Sequence, residues 1–163
     1  METNELYLKT AFCCMACDGD IAPEEMEKIK IIDEFKNLDI IHYLTDYETS
    51  LKANSTKFLR DYLNEIKTAN LSEEEECKLA KIAVEIIEID KILEYNEIAF
   101  FKKIRKKLKA SDEILMTAIQ NNPELIDKED YFLPDLDDED DLSLWDNDSF
   151  NNINIADHLI PEK

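Results

Sequence analysis

Asp18-Gly19-Asp20-Ile21-Ala22-Pro23-Glu24-Glu25 has a degenerate copy 72 residues downstream, Asp90-Lys91-Ile92-Leu93-Glu94-Tyr95-Asn96-Glu97. Asp18 matches Asp90 and Glu25 matches Glu97. The flanking apolar frame matches as well: Ala11 with Ala83, Cys14 with Ile86, Met15 with Ile87, Ile21 with Leu93, Met26 with Ile98, Ile29 with Phe101 and Ile32 with Ile104. Each copy reads as an apolar helix, a short acidic turn and a second apolar helix. A unit that recurs in this way predicts a helical domain with an internal pseudo-two-fold repeat.

The rest of the chain supports helices. It holds one Gly and four Pro in 163 residues, too few for the many turns of a sandwich or barrel. Asp18-Gly19 ends the first helix, because Gly tolerates the left-handed conformation that closes a helix. Pro23 suits a helix's first turn, and Glu24 and Glu25 complement its positive end. Met26, Ile29, Ile32 and Phe35 continue at helical spacing. A short helix is expected over 40–47 and a longer one over 50–67, with Phe58, Leu59, Tyr62, Leu63 and Ile66 inward. Ser72 and Glu75 form the signature of a capping box. Leu79 to Ile87 and Phe100 to Leu108 give two further buried stripes. Ser111 caps a last helix, which Asn121-Asn122-Pro123 stops. The reading is all-α, six to seven helices over residues 3–122, followed by a tail over 123–163.

Ala11 to Ile32 and Ala83 to Ile104, with Leu71-Ser72-Glu73-Glu74-Glu75 between them, resemble the TerB family, the tellurite-resistance-associated helical domain. The resemblance covers roughly residues 3–120 and none of the tail; Lys91 stands where the first copy has Gly19. It implies a TerB-like bundle, a stress-response context and an acidic cluster for which divalent cation binding has been considered.

The two turns supply Asp18, Asp20, Glu24 and Glu25, and Asp90, Glu94 and Glu97. Packed about a pseudo-two-fold axis, they would face each other, and converging carboxylate oxygens suit a hard cation, Ca²⁺ or Mg²⁺. The competing reading makes Asp18 and Asp90 local caps and the glutamates solvated helix starts. An EF-hand does not fit. Counting from Asp18, the sixth position is Pro23 where Gly is needed, and the twelfth is Ile29 where Glu is needed. Cys13, Cys14 and Cys17, with Cys77 far along the chain, have helical spacing on an apolar helix. That pattern reads as buried thiol rather than zinc knuckle.

The net charge is −20. A field of that sign disfavours phosphate and anionic membranes, so no direct nucleic-acid binding is expected. No apolar run approaches the ~20 residues a membrane helix needs, and the acidic N-terminus lacks a signal-peptide pattern. Unpaired cysteines fit a cytoplasmic protein, with membrane association only through a complex. From Glu129 onward there are twelve Asp or Glu against one Lys, a net −11, which leaves −9 for residues 1–128. Against this stands a basic run, Lys102-Lys103-Ile104-Arg105-Lys106-Lys107-Leu108-Lys109. Lys102, Lys103, Arg105 and Lys106 are therefore candidate contacts for the acidic tail or a protein partner. Trp145 and Phe150 are candidate aromatic anchors within the tail.

Catalysis finds little support. His42 and His158 are the only histidines, and no nucleophile elbow, phosphate loop or zinc-protease motif is present. The expectation is a non-enzymatic TerB-like stress-response module that binds a protein partner and is cation-responsive through its acidic turns. The alternative is an acidic inhibitor or immunity-like protein that occupies a basic site on a nucleic-acid-handling partner.

Overall fold

The computed structural model describes residues 2–90, 95–119 and 142–155. Among them are seven α-helices and no strand. The helices are α1 (Thr3–Ala16), α2 (Pro23–Ile31), α3 (Ile40–Ala53), α4 (Ser55–Thr68), α5 (Glu73–Ile87), α6 (Tyr95–Lys107) and α7 (Asp112–Ala118). Single 3₁₀ turns cover Asp33–Phe35, Glu88–Asp90, Ser143–Trp145 and Asn147–Phe150. The all-α architecture expected from the sequence is the one observed.

Helix α1 is the axle. Every residue from Leu6 to Ala16 is buried, as expected for a helix that is apolar nearly all round. It packs most extensively on α5 and also touches α3, α4 and α6. Two polar residues on α1 are buried with partners. The Lys9 ammonium donates to both Glu65 carboxylate oxygens, at 2.9 and 3.1 Å, and lies 4.8 Å from the centre of the Phe58 ring. The Thr10 hydroxyl donates to the Leu6 carbonyl at 2.8 Å and accepts from the Tyr62 hydroxyl at 2.6 Å. Pairing of this kind removes the cost that an isolated buried charge or hydroxyl would carry.

The helix ends follow local chemistry. Gly19 closes α1 at φ +90° and donates from its amide to the Ala16 carbonyl at 2.8 Å. The Glu25 carboxylate accepts from the Ala22 amide at 2.8 Å, which fixes the entry to α2. Asn70, at φ +54°, ends α4, since Asn tolerates the left-handed conformation better than most residues. Ser72 and Glu75 bond reciprocally at 3.1 and 2.9 Å as a capping box. Ser111 accepts from the Ile114 amide at 3.3 Å and starts α7.

One boundary differs from expectation. The break between α3 and α4 falls at Asn54, not near residue 48. Leu51 is fully buried one turn beyond Tyr47 and prolongs the α3 stripe. Asn54, extended at φ −161°, then caps α4 by accepting from the Lys57 amide at 3.2 Å.

Residues 142–155 pack into the same core as the helices. Leu142, Trp145, Phe150, Ile153 and Ile155 are all buried in it. No described helix is long and apolar enough to cross a membrane.

Candidate functional site

Three helix ends converge at one side of the bundle: the C-terminus of α1 with its acidic turn, the C-terminus of α3 and the N-terminus of α4. The acidic turn comes first. The Asp18 carboxylate accepts from the Asp20 amide at 3.1 Å, and the Asp20 carboxylate from the Ile21 amide at 2.9 Å. Asp18, Asp20 and Glu24 are exposed, whereas Glu25 is only 7% exposed. Glu97, which matches Glu25 in the sequence, is 1% exposed. Burial, above all, holds the Cys14 and Cys17 thiols well above their ordinary range, and both Glu97 and Glu25 push them further the same way. Asp18 adds to the effect at Cys17. The repeat-matched carboxylates Glu25 and Glu97 therefore lie within electrostatic reach of the same two sulfurs, at the end of α1.

Among the described residues, no three His, Cys, Asp or Glu side chains are grouped to hold a metal ion. Three of the turn carboxylates accept backbone amides of their own turn, as local caps do. The Asp90 side chain and Glu94, the remainder of the expected ligand set, lie outside the described residues.

The cysteines are free thiols. Cys13, Cys14 and Cys17 are core residues of α1, and the Cys17 thiol donates to the Cys14 carbonyl at 3.2 Å. Thiols held neutral by burial are poor nucleophiles and poor ligands. Cys77 stands apart on α5, half-buried, its thiol raised first by burial and then by Glu73 and Glu76.

The basic run of α6 is built into the fold more deeply than a solvated face would be. Lys102 and Lys103 are 8% and 2% exposed. Arg105 grips the Asp112 carboxylate at the start of α7, with its Nε at 2.9 Å. Lys106 is half-buried. The long aliphatic stems of such residues cover apolar surface while their charged heads find partners.

Trp145 and Phe150 are interior residues. Trp145 is fully buried, and its ring meets Phe100 of α6 edge-on at 5.4 Å. Its indole nitrogen donates to the Cys17 carbonyl at 3.1 Å. The Ser55 hydroxyl donates to the Trp145 carbonyl at 2.8 Å, and the Ser55 amide donates to Asn147 Oδ1 at 2.7 Å. Phe150 is 1% exposed. Both rings were expected as anchors for a partner; here they are spent on the chain's own core. The reason is size. Burying an indole removes on the order of 200 Å² from water, worth about 5 kcal/mol. The rest of the tail, residues 123–141 and 156–163, lies outside the described residues.

A groove of about 520 Å³ runs between α5 and α7, lined among others by Cys77, Lys78, Lys81, Glu85 and Ile119. Ion pairs flank it: Lys78 with Glu34 at 2.8 Å and Lys28 with Glu85 at 3.3 Å. The Lys78 hydrogen bond, above all, holds the Glu34 carboxyl below its ordinary range. The signal in the sequence is the charged stripe Glu74, Lys78, Lys81, Glu85 and Glu88 at helical spacing, opposite the apolar face of α5. His42 is exposed and 3.4 Å from Asp46.

Fold and junction together define an all-helical protein whose C-terminal segment seals the meeting point of three helix ends. No family model, curated protein or solved structure matches this chain.

Proposed function

We propose that this chain is a non-enzymatic helical module of the TerB-like, stress-response kind. It acts by contacting other proteins, and the end of α1 is the place where a divalent cation would act. One observation carries the reading: the repeat-matched glutamates Glu25 and Glu97 are both buried, and both bear on Cys14 and Cys17. A hard cation drawing oxygens from both turns would bridge these two carboxylates. Binding would then favour one packing of α2 and α6 against α1, altering the surface offered to a partner.

The test is calorimetric titration of Ca²⁺ and Mg²⁺ into the protein and into a variant carrying Asp18→Asn and Glu97→Gln. Saturable binding that the variant lacks is the expected result. Absence of heat at millimolar cation, with the fold intact by circular dichroism, would reduce both turns to helix caps.

The net charge of −20 favours a second reading, an acidic inhibitor or immunity-like protein directed at a basic, nucleic-acid-handling partner. Trp145 and Phe150 are not at its disposal while they fill the core. Exposed carboxylates would have to carry the contact, so its affinity would fall steeply with added salt.

A further inference from the structure

The junction sealed by residues 142–155 has the chemistry of a peptide-binding site. Three of its polar contacts with the segment use a backbone group at or near a helix end. The Cys17 carbonyl, at the end of α1, receives the indole N–H. The Lys52 carbonyl, at the end of α3, receives the Asn147 amide at 3.4 Å. The Ser55 amide, at the start of α4, is met by Asn147 Oδ1. Such end groups lack partners within their own helices. On α3, Glu48 accepts the Ile155 amide. Gly19 is cut to the segment's shape, for a Cβ there would stand 2.9 Å from the Ser149 carbonyl.

The segment, in turn, carries its own local order. Asp146 accepts from the Ser149 amide at 3.2 Å and from its hydroxyl at 3.1 Å. The Ser149 hydroxyl also reaches the Leu144 carbonyl at 3.3 Å. By sequence, the stretch 120–141 that joins the segment to α7 holds ten Asp or Glu and one Lys, within a chain of net charge −20. Like charge opposes docking, while the aromatic rings favour it.

We propose that the α1–α3–α4 junction is a peptide-recognition site and that residues 142–155 are its ligand, docked in cis and able to detach. The recognised features are Trp145 against Phe100, Asn147 bridging Lys52 and Ser55, and Phe150 in the core. A tether keeps such a ligand at an effective concentration of roughly millimolar. A free copy of the peptide therefore competes poorly with the intact segment and well with a disabled one.

The experiment uses the full chain carrying Trp145→Ala, Asn147→Ala and Phe150→Ala, titrated with a dye-labelled peptide of residues 142–155. The expected result is unchanged helical circular dichroism and saturable binding, on the order of 100-fold tighter than to the unmodified chain. A peptide with Trp145→Ala should bind at least about tenfold more weakly, as loss of an aromatic hot spot implies. A folded variant that ignores the peptide overturns the proposal. So does a variant that loses its helices, because the segment is then an inseparable part of the core. The unmodified chain gives an independent reading, since Trp145 is its only tryptophan. In a urea titration its emission should shift red before helical ellipticity falls; coincident transitions overturn the proposal.

Discussion

Cys13, Cys14, Cys17, Tyr47 and Tyr62 share one property that the sequence conveys only in part: burial holds all five neutral. Desolvation is the largest cause of the raised pKa in each. Apolar periodicity placed the three cysteines and Tyr62 inside, and their chemistry follows from that. A group whose folded pKa lies above its unfolded value stabilises fully below the unfolded pKa. It loses that contribution as pH rises, because the unfolded chain ionises first. Unfolded thiols ionise near 8.5 and phenols near 10. The urea midpoint should therefore be level between about pH 7 and 8 and fall progressively above about pH 9. A midpoint flat to pH 10.5 would mean these groups are open to water. Lys9 shows the limit of periodicity at this scale. Its place among apolar residues gives no hint that it is buried, because burial depends on Glu65, 56 positions away.

Among the elements, those with local stop and start chemistry were the legible ones. Gly19, the Ser72–Glu75 box and Ser111 all mark helix ends where the sequence puts them. The α3–α4 break falls later than expected because the buried Leu51 carries the apolar stripe of α3 on to Asn54. The link from α6 to α7 was opaque for a related reason. There the Glu76 carboxylate, 3% exposed, accepts from the Lys109 amide at 2.9 and 3.0 Å and from the Ala110 amide at 2.8 Å. Nothing in the run Glu73-Glu74-Glu75-Glu76 singles out the fourth as a long-range cap. Glu76→Ala should strand both amides and cost about 2–4 kcal/mol; Glu76→Gln, which keeps one acceptor, should cost about half that. Urea unfolding of the two variants measures the difference. A harmless Glu76→Gln would mean that the side chain serves packing alone, and equal losses would mean that one remaining acceptor does not hold the two amides.

For the whole molecule, charge and core pull against each other. The −20 net charge repels itself, most strongly where counter-ions are scarce. Raising NaCl from about 10 to 150 mM shortens the screening length from roughly 30 to 8 Å. It should therefore raise the urea midpoint, although exposed pairs such as Lys57–Asp61 at 2.7 Å weaken. A midpoint that falls with salt would put ion pairs ahead of repulsion. The composition made the acidity plain. It could not show that the acidic tail carries part of the core, because Leu142, Trp145 and Phe150 lack the long periodicity that marks a buried helix. The candidate site was half legible for the same reason: the turn carboxylates stand out in the repeat, whereas the ring that covers the end of α1 comes from a stretch without any repeat.

Synthesis runs in one direction, and the order of parts matters here. Phe100 and Ser55 are made well before Trp145, and a ribosome adding about 5–20 residues each second leaves a gap of a second or more. Throughout that gap Phe100 and the end of α1 lack the indole that meets them in the finished fold.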